Sequence, residues 1–449
     1  MNMKRKAIIL ITEGVSRPLL EKWCAQGLLP GFTRLVKEGS SGGLRSDLVP
    51  YEPPGLITAF SGQSAGEHGW FSYWNVHNND YRPRPLTSDE LRHPLIWQRP
   101  EFASQRFAVI NVFGTHPPTP LNGWLVTYPM RQTLNACYPR DLFWSLSNRG
   151  LHYTHDVSVW FSGQSQKEFL PLVLEADRRR GELALTLLDE GADAVIVNLT
   201  GIDRTSHCYW QELEEGSPVP VTESAVFQAY QLCDQLIERL IERLTPETSL
   251  LAFSEIGFGT LRAYCSLNSH LEQAGFLKTN NSGAEQTIDW EKTTAFEAVQ
   301  GTHGINLNLS GRYAEGHVKA EDYSQLREEV MAALRESINP YTGLGLFRQV
   351  LPREEVYAGA SVAQAPDIIV DPADERYLPL GDPFWATHVY RTRQSGWHRR
   401  DSYWAGMGEL FGATERAQVA SLLDIGPTLC RMLDMDVPKE FKGSALTSR

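Results

Sequence analysis

The stretch Ala194-Val195-Ile196-Val197-Asn198-Leu199-Thr200-Gly201-Ile202-Asp203-Arg204-Thr205-Ser206-His207 decides the fold. It opens with a short continuous apolar run. Such a run is the signature of a strand covered on both faces, as in a parallel sheet sandwiched between helices. The run ends in a glycine turn and a carboxylate. A helix starting there puts Asp203 and His207, four residues apart, on one face. A carboxylate oxygen and an imidazole nitrogen then converge on a common point, as a transition-metal site requires. Taken alone, the pair reads equally as an N-cap Asp followed by a surface His.

Outward from this stretch the same pattern repeats. Apolar runs at Ala7–Thr12, Phe107–Val112, Ser249–Phe253 and Ile368–Val370 alternate with stretches of helical period at Leu19–Gln26, Phe32–Lys37, Phe169–Leu188 and Phe227–Leu244. Strands alternating with amphipathic helices predict an α/β, three-layer sandwich around a mainly parallel central sheet. Ala7–Thr12 leads into Glu13-Gly14, and Ser249–Ser254 into Glu255-Ile256-Gly257. Ligand sites of parallel sheets lie beyond the carboxyl ends of the strands. Glu13, Asp203 and Glu255 are therefore expected at one edge, where a bound cation offsets their mutual repulsion.

A smaller inserted subdomain is expected over residues 279–392, with residues 1–278 and 393–449 forming the core. The insertion opens with the polar stretch Asn280–Thr287, contains a helical segment at Ala320–Ile338 and closes with the Pro- and aromatic-rich run Pro372–Trp385. Trp70–Arg106, dense in Trp, Tyr, Asn and Pro, reads as an irregular surface loop near the site, with Trp70, Phe71, Tyr73 and Trp74 as core beneath it or as a pocket lining.

Composition narrows the function classes. Among 449 residues, 42% are hydrophobic and 21% charged, an ordinary globular balance. A net charge of -12 argues against a broad nucleic-acid-binding surface while leaving room for a local anion pocket. No apolar stretch approaches the length of a membrane span, and the six scattered cysteines match neither a disulfide framework nor a zinc knuckle. A soluble, cytoplasmic protein with reduced thiols is expected, with a C2 homodimer as the default assembly.

Taken together, several short motifs resemble the type I phosphodiesterase/nucleotide pyrophosphatase branch of the alkaline phosphatase superfamily. These are Glu13-Gly14, Gly27-Leu28-Leu29-Pro30-Gly31-Phe32, Pro53-Pro54 through Ser61-Gly62 with Glu67-His68-Gly69, Asn111-Val112 through Pro117-Pro118, Asp203–His207, Ser254–Gly259, Ala365-Pro366-Asp367, Gly396–Asp401 and Asp424–Thr428. The resemblance implies an active site with two metals flanking a Thr or Ser nucleophile. The ligands of the first metal fall on Asp203, His207 and His398, all of the expected type. Those of the second fall on Glu13, Glu255 and Ile256, and the nucleophile position on Glu52. Glu52 has no hydroxyl, and Ile256 cannot ligate a metal.

These departures leave three readings. In the first, one divalent ion, Zn2+ or Mn2+, sits on Asp203, His207 and His398 with a coordination position open, and Glu52 serves as base or ligand. The substrate is then a phosphoester-like or other anionic small molecule, turned over by hydrolysis or by a non-hydrolytic elimination or proton transfer. In the second, Glu13 and Glu255 hold a second ion and Glu52 bridges, which favours Mg2+ or Mn2+ there. In the third, the chain is a pseudoenzyme serving as a binding or scaffold protein. His116, after the second apolar run, reads as a turn histidine or a substrate contact. Arg399, beside His398, reads as solvated charge or an oxyanion contact.

Overall fold

The computed structural model describes residues 4–128, 133–151, 156, 166–282, 285–379 and 394–447. The end of the expected insertion at Thr392, its closing run beyond residue 379, and residues 283–284 of its polar opening lie outside them. Packing divides the chain into two compact units. The first comprises residues 1–63, 87–260 and 394–449, the second residues 64–86 and 261–393.

The first unit is built on a nine-stranded sheet among the described residues. Its strands are β1 (Lys6–Thr12), β2 (Ser40–Arg45), β3 (Phe107–Ile110), β4 (Gly123–Val126), β5 (Cys137–Tyr138), β6 (Ala194–Leu199), β7 (Thr248–Phe253), β10 (Asp401–Met407) and β11 (Thr414–Ser421). A separate pair is formed by β8 (Gly257–Thr260) and β9 (Gly396–Arg399). The sheet order is β11-β2-β10-β7-β1-β6-β3-β4-β5. β7, β1, β6, β3 and β4 run parallel to one another, β10 pairs antiparallel with both β7 and β2, and β5 pairs antiparallel with β4. The sheet is thus mixed and mainly parallel, as the apolar runs indicated. β1, β6 and β7 are the runs that the sequence made plain. β2, with its Ser-Ser-Gly-Gly start, and the late strands β10 and β11 lack that apolar signature.

Helices Arg17–Ala25, Pro30–Glu38, Gln166–Asp189 and Ala225–Ile241 occupy the stretches of helical period. Their apolar faces bury Trp23, Phe32, Phe227 and Tyr230, with the Trp23 ring edge-on to Phe227 and Tyr230 at 5.2 and 4.8 Å. Each such side chain contributes about 1.5–3 kcal/mol on burial, so the helix–sheet layers make up most of this unit's core. Among the described residues no helix is long and apolar enough to cross a membrane. The six cysteines are free thiols, five of them buried.

The second unit carries its own four-stranded antiparallel sheet, in the order Ala295–Glu297, Gly304–Leu307, Ile368–Pro372, Phe347–Pro352. The Ile368–Val370 run is therefore a strand, but an antiparallel one outside the main sheet. A short apolar run reports burial on both faces and carries no information about which sheet buries it. Helix Tyr323–Arg335 lies inside the expected helical segment. The core of this unit centres on Tyr81, stacked on Trp290 at 3.8 Å and on Tyr313 at 5.1 Å. The irregular Trp70–Arg106 segment is divided: its first part belongs to this unit, where Phe71 packs edge-on against Tyr357. Its later part forms short 3-10 turns in the first unit.

Candidate metal centre

Each candidate ligand is fixed by a different element of the first unit. Asp203 lies in the first turn of helix Gly201–Tyr209, which starts directly after β6, and His207 stands one turn later on the same face. His398 projects from β9, whose register sets it opposite Phe258 of β8. Glu13 follows β1, and Glu255 follows β7. Glu52 opens helix Glu52–Ser61, where its carboxylate meets the positive end of the helix dipole. Gly14 allows the close approach at this edge. Its φ is +85°, and a Cβ there would stand 2.8 Å from the Asp203 Cα.

Asp203, His207 and His398 converge. His398 Nε2 lies 3.1 Å from His207 Nε2 and 3.1 Å from Asp203 Oδ1, and His207 Nε2 lies 3.4 Å from the same oxygen. A tetrahedral ion with bonds of about 2.0–2.1 Å needs ligand atoms about 3.3 Å apart. The outer nitrogens fix the tautomers. His207 Nδ1 donates to the Gly396 carbonyl at 3.2 Å, and His398 Nδ1 to the Pro50 carbonyl at 3.3 Å. Carbonyls only accept, so each neutral ring turns its Nε2 lone pair towards the other and towards Asp203 Oδ1, an oxygen buried without a hydrogen-bond partner among the described residues. Lone pairs facing one another at this distance repel unless a cation lies between them. The donor set, its spacing and its orphaned oxygen therefore fit a divalent ion.

Electrostatics agree with that reading. Burial opposes the charged form of Asp203, but His207 and Arg204 more than offset it and hold its carboxyl well below the usual range. Burial also opposes protonation of His398, yet Glu52 and Asp203 beside it raise its pKa: without a metal ion, this position draws a proton. His207 is pushed down by burial.

The other edge of the site is organised by Arg204, a residue that sequence reasoning did not single out. Its Nη1 donates to Glu13 Oε1 at 3.0 Å and to Asp203 Oδ2, and lies 4.0 Å from Glu52 Oε1. Its Nε and Nη2 grip Asp156 Oδ2 at 2.9 and 2.6 Å. Asp156 is also held by Arg180 Nη2 at 3.2 Å and Thr200 Oγ1 at 2.6 Å, and these partners hold its carboxyl down to about 2 although burial alone would raise it. Glu13 Oε2 accepts from Asn198 Nδ2 at 2.9 Å. Burial pushes the carboxyls of Glu13, Glu52 and Glu255 upward, and neither carboxylate oxygen of Glu255 has a hydrogen-bond partner among the described residues. Arg204 lies inside the stretch that decided the fold. The available signal was the density of carboxylates around a strand end that delivers a single arginine.

The remaining candidates have other partners. His116 Nδ1 lies 3.1 Å from Thr127 Oγ1. Arg399 donates to the carbonyls of Trp397, His398 and Thr260 and thereby braces the β8–β9 pair. Ile256 is buried, and its carbonyl accepts from Ser254 Oγ.

Comparison with known proteins agrees with this architecture. The family profile described as type I phosphodiesterase / nucleotide pyrophosphatase matches residues 7–401. A search of curated protein sequences finds no match. Among solved structures, murine ectonucleotide pyrophosphatase/phosphodiesterase 5 is 14% identical, with a TM-score of 0.58 and 98% of each chain covered. Wild-type alkaline phosphatase PafA is 14% identical, with a TM-score of 0.63 and 99% of each chain covered. Phosphonoacetate hydrolase from Sinorhizobium meliloti 1021, in complex with phosphonoacetate, is 14% identical, with a TM-score of 0.58, covering 93% of this chain and 92% of that one. At such identities these likenesses establish the alkaline phosphatase-like fold. The profile, spanning most of the sequence, establishes the lineage: the chain belongs to the type I phosphodiesterase/nucleotide pyrophosphatase family of the alkaline phosphatase superfamily.

Proposed function

We propose that the protein is a one-metal enzyme acting on a phosphoester-like, anionic small molecule, with Glu52 as its proton-transferring base. The observation that carries this reading is the set of Nε2 and Oδ1 atoms of His207, His398 and Asp203, 3.1–3.4 Å apart with both Nδ1 atoms tied to carbonyls. Asp203, His207 and His398 would hold the ion, Zn2+ or Mn2+, and three protein ligands leave a coordination position open. A divalent ion supplies Lewis acidity to a substrate oxygen or to water.

The chain's own residues do the rest. Glu52 Oε1 lies 3.8 Å from His398 Nε2, beside the ligand set and at the positive end of its helix. Its other oxygen has no partner among the described residues, so it is free to accept a proton from an attacking water. Burial raises its pKa, as a base working near neutrality requires. The free thiols support a reducing, cytoplasmic setting.

Metal content of the purified protein tests this directly, measured by plasma mass spectrometry beside a His398→Ala variant. About one equivalent in the native chain, with affinity lowered more than about 100-fold in the variant, is expected, since removing a ligand exceeds the effect of removing its outer partner. Turnover of phosphomonoesters, diesters, pyrophosphates or phosphonates should then be lost in Glu52→Gln. No specific metal after loading with Zn2+, Mn2+ and Mg2+ would overturn the reading. A second reading follows from the same 3.8 Å separation: Glu52 as fourth ligand of a closed, non-catalytic site. In that case Glu52→Gln weakens metal binding, and no substrate is turned over.

A further inference from the structure

We infer that Arg204 is a built-in cation: its guanidinium fills the position that a second metal ion would take and closes it to divalent ions. Oxygens of Glu13, Glu52 and Asp203 all lie within 4.8 Å of one another and form a second group able to surround an ion. Arg204 Nη1 reaches all three residues: it is bonded to Glu13 Oε1 at 3.0 Å and to Asp203 Oδ2, and lies 4.0 Å from Glu52 Oε1. A divalent ion and that nitrogen cannot share the position.

The guanidinium is held there from behind. A single oxygen of Asp156, Oδ2, accepts from both its Nε and its Nη2, and Tyr128 OH accepts from Nη2 at 3.2 Å. Asp156 is in turn fixed by Arg180 and Thr200. Asn198 occupies the far oxygen of Glu13. An arginine clamped on one edge by a carboxylate, with its other edge among three more, has the charge, the donors and the anchoring that a fixed cation needs. Its charge also stands beside Glu52 without a hydrogen bond to it.

This inference rests on the one-metal reading for the site that it completes, and metal stoichiometry separates the two. In about 1 mM Mn2+, enough to populate weak oxygen-rich sites, the native protein should hold about one equivalent and Arg204→Ala about two. The Tm of Arg204→Ala should rise with added Mn2+ in a second step that the native protein lacks. Arg204→Lys, which keeps the charge, should stay at about one. Two equivalents in the native protein, only one of them lost in His398→Ala, would overturn the inference and leave the His-containing site standing. No metal in the native protein would overturn the one-metal reading instead, and a single equivalent gained in Arg204→Ala would still support the fixed cation. A folded Arg204→Ala that gains nothing overturns it. Should that variant not fold, Arg204→Ala combined with Asp156→Asn, which also removes the charge left unpaired, gives the same readout, and the native stoichiometry decides independently.

Discussion

Two buried carboxylates, one in each unit, are treated in opposite ways. In the second unit, Asp367 is saturated. Arg312 grips it through both Nη atoms at 2.7 and 3.2 Å, Arg353 Nη1 donates at 3.0 Å, Tyr323 OH at 2.9 Å and the Leu307 amide at 2.8 Å. These partners hold its carboxyl low although burial works the other way. In the first unit, Asp203 keeps one oxygen without a hydrogen-bond partner among the described residues, facing imidazole lone pairs, and Glu52 and Glu255 beside it have such oxygens too. A carboxylate buried for structure is given every hydrogen bond that it can accept. One buried for chemistry is left incomplete, and the remainder is what an ion or a substrate completes. Asp156 lies between the two cases: saturated like Asp367, yet holding the arginine that borders the incomplete site.

The largest expected effect falls on the saturated cluster. Asp367→Asn should cost about 3–5 kcal/mol of unfolding free energy in denaturant titration, because it leaves the guanidinium groups of buried Arg353 and half-buried Arg312 without their counter-charge. Its metal content should match that of the native chain. A loss of metal there would erase the distinction between the two carboxylates.

Asp156→Asn should cost less, about 2–3 kcal/mol near pH 7, from the gap between its ordinary value of about 3.9 and its folded value of about 2. The sign is that of a depressed acid. The contribution is complete above the unfolded value and is lost as pH falls through about 2, so the deficit of the variant should shrink over that acid range. A deficit independent of pH between 6 and about 2 would remove the electrostatic explanation.

The smallest effect belongs to Glu52→Gln. Burial already disfavours the charge of Glu52, so a neutral isostere should change stability by less than about 1 kcal/mol. A loss of several kcal/mol would place Glu52 with the saturated carboxylates.

Much of the first unit was legible because continuous apolar runs admit few alternatives: β1, β6 and β7 could hardly be placed anywhere but side by side in a covered sheet. Asp203 and His207 were legible through helical spacing, and His398 only through family resemblance, since a histidine on a short strand carries no periodic signal. Glu13 and Glu255 could be placed at one edge by the rule for strand ends. Arg204 could not be assigned: an arginine in the first turn of a helix normally faces solvent, and only tertiary packing turns this one inward, onto Asp156 from a part of the chain remote in sequence. The β2–β10–β11 edge escaped because none of its strands is a continuous apolar run: β2 is rich in Gly and Ser, and β10 and β11 mix polar with apolar residues.

A metal ion must be acquired and can be withdrawn by chelation, starvation or exchange for a rival. The guanidinium of Arg204 is acquired at translation and does not lose its proton in a folded protein. Of the three positive charges that a divalent ion and Arg204 would together bring to this site, one is therefore inherited rather than supplied, and chelators, acidification and competing metals could act only on the other two.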